Sequence, residues 1–202
     1  MKYPRTLQNL IECFQKLPGI GEKTAERLAL ATLKFDQNVI DVFAASLKDT
    51  KKKIKKCSRC NNLAEEELCE ICMDKKREKD TLCVVEDPKN IILFEKLDTF
   101  KGYYHVIDGL ISPLEGINPE DVHIPELISR IKKEKIKEVI LAVKPSIEGE
   151  TTSLYISKML SGTDVLVSKI AHGVPLGAEI DYVDALTLEL ALTNRKKIAN
   201  DD

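Results

Sequence analysis

Cys57-Ser58-Arg59-Cys60-Asn61-Asn62-Leu63-Ala64-Glu65-Glu66-Glu67-Leu68-Cys69-Glu70-Ile71-Cys72 contains two Cys-x2-Cys turns, separated by eight residues. Each turn brings two thiolates close enough to bind one ion, and two such turns complete a tetrahedral site of four sulfurs. Thiolate ligands in this geometry favour zinc over magnesium or calcium. We therefore predict one structural zinc ion per chain, bound by Cys57, Cys60, Cys69 and Cys72. A redox dithiol or an iron–sulfur cluster is the alternative interpretation of the same spacing.

This cysteine module is too short to bury a hydrophobic core, so the metal is expected to supply much of its folding free energy. All four ligand positions are filled by protein, which leaves no open coordination position for water. The ion is therefore predicted to be structural and not catalytic. The other two cysteines, Cys13 and Cys83, have apolar neighbours in the sequence and are predicted to be buried free thiols.

Upstream of the cysteines, the sequence predicts a helical hairpin. Apolar residues recur at helical spacing over 7–16, and a second helix is predicted over about 22–33. Between them, Leu-Pro-Gly-Ile-Gly at 17–21 ends the first helix because Pro and Gly are poor helix formers. A third helix is predicted from about Val39 into the lysine-rich stretch at 51–56.

The hairpin resembles the helix-hairpin-helix motif of proteins that bind DNA without sequence preference. Gly19 and Gly21 permit close approach of the backbone, and the free amides at the start of the second helix can hold a phosphate oxygen. Lys23 and Arg27 are four residues apart, hence on one helical face, where they can reach neighbouring phosphates. The alternative is an ordinary helical turn, with Lys23 and Arg27 paired to Glu22, Glu26 or solvent.

The distribution of charge favours nucleic acid contact at the N-terminal part of the chain. The sequence has 31 Lys and Arg against 33 Asp and Glu, a formal net charge of −2. Residues 1–56 contain 12 basic and 6 acidic residues, a net of +6, so the remainder carries −8. A basic front and an acidic back are expected to bring a polyanion to the front.

The chain shows no sign of export or of a membrane segment. No apolar run follows the first five residues, and no run approaches the roughly 20 apolar residues that cross a bilayer. We expect a cytoplasmic protein with no membrane partner. In that compartment clustered cysteines more often bind metal than form disulfides.

Beyond a highly charged linker at 74–80, strand-like and helical runs alternate. The predicted strands are 82–86, 103–107, 138–143 and 165–170. The predicted helices are around 91–97, 124–133, 151–160 and 183–192. Such alternation is typical of βαβ units and of a mostly parallel sheet, so the fold class is multidomain α/β, ending in a strand-helix segment.

The strand Leu-Cys-Val-Val-Glu at 82–86 resembles the opening strand of a Toprim domain, the fold shared by topoisomerases and primases. In that fold a glutamate follows the first strand, and an Asp-x-Asp pair after a later strand binds magnesium. Here the later strand, at 139–143, is followed by Lys144 and Ser146 at the two aspartate positions. A lysine ammonium repels a cation and offers no lone pair, so magnesium-dependent phosphoryl chemistry is poorly supported. No catalytic residue is predicted.

Acidic residues nevertheless follow both of these strands. Glu86 and Asp87 come after the first strand, and Glu148 and Glu150 come after the later one. Open α/β sheets usually bind ligands at the carboxyl ends of their strands, which predicts a protein-docking surface or a weak cation site here. The alternative is local: Asp87 caps a helix that begins at Pro88, and Glu150 is a favourable charge in a first helical turn.

In the order hairpin, four-cysteine module and altered Toprim fold, the chain resembles the RecR family of bacterial recombination mediators over essentially its whole length. Further matches to that family are Val-Val-Glu-Asp-Pro at 84–88, Gly-Leu-Ile-Ser-Pro-Leu at 109–114 and Gly-Val-Pro-Leu-Gly at 173–177. The lysine at 144 departs from the family, whose loop is usually neutral there. The resemblance implies four domains: a helix-hairpin-helix DNA-binding domain at 1–53, a four-cysteine zinc finger at 54–76, a Toprim domain at 80–163 and a C-terminal segment for oligomer contacts at 164–202.

The resemblance also implies a function in DNA repair. It implies a non-catalytic, nucleoid-associated clamp that acts with RecO, and in some bacteria RecF, to load RecA onto single-stranded DNA at gaps. It further implies a ring-like homotetramer in which Lys23 and Arg27 face DNA inside the ring and Glu86 with its neighbours faces RecO. The alternatives are a Toprim-type metal-dependent nuclease or primase-like enzyme, and a scaffold whose hairpin only holds subunits together.

Overall fold

The structure, a computed structural model, describes residues 3–195 and forms two compact units that divide between Ile54 and Lys55. The first unit consists of three helices, α1 (Arg5–Gln15), α2 (Glu22–Thr32) and α3 (Gln37–Lys53). These helices confirm the predicted hairpin and the third helix after it. The third helix ends at Lys53 instead of continuing to residue 56, because Lys55 and Lys56 pair with another strand.

The first two helices pack through a small core. Ile11 of α1 and two alanines of α2, Ala25 and Ala29, are buried there. Cys13, which was predicted to be buried, is exposed. The prediction was wrong because apolar neighbours in sequence are not neighbours on a helix. Cys13 is two positions after Ile11, a rotation of about 200° around the helix axis, so the thiol lies away from the packing face.

The third helix buries none of its side chains in this unit. It has large apolar residues at helical spacing on one side, all of them exposed: Val39, Val42, Phe43 and Leu47. We call this set the α3 stripe. A single chain therefore leaves an amphipathic helix without an apolar partner among the described residues.

The second unit opens with the zinc module, in which β1 (Lys55–Lys56) and β2 (Leu63–Ala64) pair antiparallel and α4 (Glu70–Met73) follows. A parallel sheet comes next, with strands β3 (Thr81–Val85), β4 (Tyr103–Val106), β5 (Glu138–Ala142) and β6 (Leu166–Lys169) in the order β4-β3-β5-β6. Its helices are α5 (Pro88–Leu97), α6 (Ile124–Glu134), α7 (Ile147–Leu160) and α8 (Ala185–Thr193). The predicted α/β class and parallel sheet are confirmed.

The sheet buries both of its faces, as a parallel sheet must. Leu82 and Val84 of β3 belong to one core, together with Ile131 of α6 and Ile156 of α7. The alternate residues of β3, Cys83 among them, belong to a second core that includes Ile91 of α5 and Val106 of β4. Cys83 is buried as predicted, and this burial raises the pKa of its thiol to about 12.

The strand order creates a switch point at the carboxyl ends of β3 and β5. The strand β3 pairs with β4 on one side and with β5 on the other, so the chain runs from β3 to β4 and then crosses back past β3 to β5. Val85 and Ala142, the last residues of β3 and β5, are partners in the register. The residues that follow them, Glu86 and the loop at 143–146, therefore lie where open α/β sheets place ligands.

The C-terminal part of the described chain contributes no buried residue after β6. A short 3-10 turn at Ile180–Tyr182 and the helix α8 contain none. Large apolar side chains are exposed there: Leu176, Ile180, Tyr182, Leu186 and Leu192. Residues 196–202, the end of the predicted C-terminal segment, lie outside the described residues. In the described part, no helix is both long and apolar enough to cross a membrane.

Candidate zinc site, DNA-binding hairpin and acidic pocket

The four cysteines predicted to bind zinc lie together and are buried. Their Sγ atoms are all within 4.8 Å of one another, and those of Cys60 and Cys69 are 3.6 Å apart. A tetrahedral site with Zn–S bonds of about 2.3 Å needs sulfurs about 3.8 Å apart. The four cysteines therefore fit one structural zinc ion. Four converging sulfurs also favour a metal over the redox dithiol, which needs only two.

Local backbone geometry positions these sulfurs. The amide of Cys57 donates to the carbonyl of Asn62 at 2.7 Å, and the amide of Asn61 donates to the carbonyl of Cys57 at 3.0 Å. Asn61 closes this turn in the left-handed region, at a φ of 60°. The second pair begins at Cys69, the N-cap of α4, with Cys72 inside that helix. The Cys69 amide donates to Cys57 Sγ at 3.3 Å, which links the two turns and stabilises a thiolate.

Close packing makes the ionisation of one thiol depend on the others. The pKa of Cys69 is lowered chiefly because Cys60 donates a hydrogen bond to its thiolate. The pKa of Cys60 is raised, first by that same hydrogen bond. Burial opposes the charge of further thiolates. A divalent cation removes this conflict because it stabilises all four thiolates at once.

Arg59, between the first two cysteines, fixes the zinc module to the sheet. Its guanidinium donates to both carboxylate oxygens of Glu134 in α6, at 2.8 and 2.9 Å. The same group lies 4.2 Å from the ring centroid of Tyr103 in β4. The amide of Val106 donates to the carbonyl of Cys60 at 2.8 Å. The backbone of Cys60, one of the predicted zinc ligands, therefore connects the zinc module to the sheet.

The two glycines of the hairpin turn occupy different environments. Gly19 has a φ of +79°, in the region that favours glycine. Gly21, the N-cap of α2, has an ordinary φ of −81°, and no side chain caps this helix. A Cβ atom at position 21 would have no neighbouring heavy atom within 4 Å. Neither backbone strain nor packing among the described residues therefore requires a glycine at 21.

The basic residues of α2 share one face. Lys23 and Arg27 line a shallow groove along the helix, and Lys34 lies at its far end. Glu26, one of the glutamates that the alternative pairs with them, accepts a hydrogen bond from the Tyr3 hydroxyl. Of the residues that the structure describes, neither Lys23 nor Arg27 forms an ion pair. Sequence reasoning missed Lys34, which lies after the end of α2 and so outside the helical spacing that relates Lys23 to Arg27.

The structure brings together only some of the predicted docking acids. Glu86 and Glu148 line an open pocket of about 410 Å³ at the switch point, beside Lys144. We call this the acidic pocket. Asp87 instead caps α5, accepting from the Lys89 amide at 2.8 Å, with Pro88 first in the helix. Glu150 lies in the first turn of α7 and pairs with Lys169 at 3.0 Å.

Ser146, at the second aspartate position, is the N-cap of α7. Its Oγ accepts from the Gly149 amide at 3.2 Å and donates to Glu148 Oε2 at 2.7 Å. This second bond is the main reason that the pKa of Glu148 is lowered. The Lys144 amide donates to Glu86 Oε2 at 3.4 Å. The pocket therefore places two carboxylate side chains beside the lysine side chain of Lys144, whose ammonium group opposes the binding of a magnesium ion.

Sequence reasoning missed the loop that closes this pocket. Glu115 and Ser112, from a turn after β4, also line it. Leu114, between them, is fully exposed. The sequence marked this loop only by its match to a family motif, because no local pattern shows that a turn after β4 reaches the end of β5.

Comparison with known proteins gives matches along the whole chain. The family model described as "RecR, helix-hairpin-helix" matches residues 7–51, and the model of the RecR zinc finger domain with four cysteines matches residues 54–74. Those described as "Toprim domain" and "RecR, C-terminal" match residues 80–171 and 173–196. A curated protein of Staphylococcus saprophyticus named "Recombination protein RecR" is 44% identical over 198 residues, which cover 98% of this chain and 100% of that protein.

Proposed function

This chain belongs to the RecR family, with a role in DNA repair and recombination, and we propose that it acts there as a non-catalytic DNA-binding mediator. The observation that supports DNA contact most directly is the start of α2. Its uncapped first turn, the open space at Gly21 and the basic side chains of Lys23 and Arg27 lie at one helix start, and Lys34, just after the helix, lines the same groove. These groups bind phosphate oxygens, not base edges, so binding is independent of sequence.

The double charge reversal Lys23→Glu with Arg27→Glu tests this proposal. It places two carboxylates where phosphates would lie, and we expect DNA affinity to fall by at least about tenfold at low salt, since each phosphate contact contributes to the salt-dependent term. Fluorescence polarisation with a labelled oligonucleotide measures the change. The control is Lys96→Glu with Lys158→Glu, which changes the net charge equally on α5 and α7. Equal DNA affinity in the hairpin variant and the wild type would refute the proposed contact.

We further propose that the chain works as a ring-like homotetramer with RecO, and in some settings RecF, to load RecA on single-stranded gaps. The family membership supports this assembly, and so do the apolar surfaces that one chain leaves exposed on α3 and in the C-terminal segment from 164 onward. In this proposal Glu86 and Glu148 contact a basic surface of RecO. Asp87 and Glu150, at the starts of α5 and α7, contribute further negative charge. The protein acts in the cytoplasm, at the nucleoid.

The proposal of a non-catalytic role rests on the acidic pocket. Lys144 and Ser146 stand where a magnesium site needs carboxylates, and Ser146 is already used as a helix cap. The experiment is incubation of the purified chain with magnesium and labelled DNA or nucleotides. We expect no cleavage and no nucleotide transfer. Magnesium-dependent turnover that Glu86→Gln abolishes would establish the enzymatic alternative instead.

A further inference from the structure

An open cavity of about 680 Å³ lies inside the second unit, between the zinc module and α6. Its polar lining comes from the turn around Cys60, from β4 and from one side of α6: Ser58, Arg59, Asn61, His105, Glu126, Ser129, Arg130, Lys133 and Glu134. We call it the knuckle cavity. It shares no residue with the hairpin groove or with the acidic pocket.

The charges of the knuckle cavity are not balanced. Arg59 and Arg130 both pair with a single carboxylate, Glu134, at 2.8 and 3.2 Å. Lys133 adds a third cation, and Glu126 at the rim adds a second carboxylate. The lining therefore keeps an excess positive charge, placed partly out of solvent, where its field is screened less than at a free surface.

Arg130 is the least satisfied member of this set. It is only 6% exposed, and its Nη1 donates to the carbonyl of Tyr104 at 2.7 Å. Its Nη2 has no hydrogen-bond partner among the described residues. His105 beside it stays neutral at physiological pH, because burial and the charge of Arg130 lower the pKa of the imidazole to about 4. Because Glu134 alone balances both Arg59 and the buried Arg130, one positive charge stays unbalanced, and an anion in the cavity offsets it.

We propose that the knuckle cavity binds a backbone phosphate of DNA, with Arg59 and Lys133 as the contacting cations and the Ser129 hydroxyl as a further donor. This inference rests on the proposed function as a DNA-binding protein and adds a second contact surface to the hairpin. Guanidinium and ammonium groups beside a hydroxyl form charge-assisted hydrogen bonds to phosphate oxygens. The buried positive charge of Arg130 adds to the electrostatic attraction of the cavity for an anion.

Two features favour DNA over an acidic peptide as the ligand. Pro125 is the one apolar residue in the described lining, whereas peptide sites depend on apolar anchors. Beyond the rim, two further exposed lysines, Lys132 and Lys135, lie at the end of α6. Several neighbouring ammonium groups suit a polyanion with repeated charges.

The test compares Lys133→Gln with Lys158→Gln in the full-length, zinc-loaded protein. Both lysines lie exposed in the last turn of a helix, α6 and α7 respectively, so both variants lose the same favourable end charge. Polarisation of a labelled single-stranded oligonucleotide is measured over a salt series. We expect Lys133→Gln to weaken binding about threefold to tenfold and to reduce the slope of log affinity against log salt by about 0.7. Lys158→Gln should match the wild type.

Glu126→Gln provides a gain-of-affinity test of the same site. It removes the rim carboxylate that repels a phosphate, so DNA binding should tighten without a change in zinc content. The knuckle-cavity proposal is overturned if Lys133→Gln binds DNA like the wild type while the Lys23→Glu, Arg27→Glu variant loses DNA binding. The proposed function as a DNA-binding mediator would still stand in that case. If the wild type binds no DNA, both fail. A ten-residue glutamate peptide whose binding, but not that of DNA, depends on Lys133 would assign the cavity to an acidic protein instead.

Discussion

At residue scale, the hairpin turn contains two glycines that serve different physical purposes. Gly19 is needed for the fold of the turn, because its φ of +79° is costly for any residue with a Cβ. Gly21 is not needed for the fold, since its φ is ordinary and its surroundings are open. The two positions therefore separate stability from ligand access within one three-residue segment.

Alanine at each position should show this separation. We expect Gly19→Ala to destabilise the first unit by about 1–2 kcal/mol, from the left-handed backbone, with DNA affinity preserved at temperatures where the chain stays folded. We expect Gly21→Ala to leave the thermal midpoint near that of the wild type and to weaken DNA binding, because the new methyl group lies where a phosphate approaches. Thermal unfolding and a DNA titration measure the two effects. A Gly21→Ala variant with unchanged affinity would count against backbone–phosphate contact.

Single residues also show how far the sequence could be interpreted. The four zinc ligands were predictable because metal geometry restricts their spacing, and Asp87 as a cap was predictable because capping is local. Cys13 was predicted wrongly because burial depends on the face of a helix and not on sequence neighbours. The pairing of Arg59 with Glu134 joins residues 75 apart in the chain, and no local pattern indicates it.

At the scale of elements, the zinc module is attached to the edge strand β4. Cys60 both presents a ligand sulfur and accepts the amide hydrogen bond of Val106. Asn61 adds a bond from its side chain to the Val106 carbonyl at 3.3 Å. Loss of the metal should therefore disturb the edge of the sheet as well as the module.

Chelation of zinc should unfold the module and expose one edge of the sheet. Structural zinc contributes on the order of 10 kcal/mol to the folding of small cysteine modules. We expect the Val106 amide to exchange hydrogen much faster in the zinc-free chain. Hydrogen-exchange mass spectrometry measures this rate, under conditions in which circular dichroism shows that the sheet is still folded. The internal control is the Ile170 amide, which donates to the Leu141 carbonyl at the end of β6, the opposite edge strand of the sheet. Unchanged protection of Val106 after complete zinc removal would contradict the coupling.

Element boundaries were predictable where a local signal exists. Proline at 18 and the glycines at 19 and 21 located the hairpin turn, since both residue types interrupt helices. The start of α7 was predicted at 151 but lies at Ile147, because Ser146 caps the helix and its first turn contains the two glutamates. Strand order was not predictable from alternation alone, which indicates parallel pairing but not that β3 lies between β4 and β5.

At the scale of the whole molecule, a single chain leaves its amphipathic surfaces uncovered. The α3 stripe and the exposed side chains of the C-terminal segment belong to different units. Apolar patches of this kind mark association surfaces, and two distinct surfaces per chain allow a closed assembly of more than two copies. This supports the proposed ring, in which each chain uses both surfaces.

Interruption of the α3 stripe should therefore lower the order of the assembly. In the variant Val42→Asp with Leu47→Asp, burial of two carboxylates at an apolar contact is unfavourable, and we expect a smaller complex by light scattering. The matched control is Lys48→Gln with Lys52→Gln, on the side of the helix away from the stripe and with the same change in net charge. If the stripe variant and the control have the mass of the wild-type complex, α3 is not an assembly surface.

The capping role of Ser146 bears on how such a chain evolves. Aspartate caps a helix as well as serine does, so folding alone does not exclude an ancestral carboxylate at this position. Lys144, on an exposed loop, and Ser146 are the two side chains that separate the acidic pocket from the magnesium-binding pattern. Carboxylates at both positions would therefore change the charge of the pocket without requiring a change in the architecture around it.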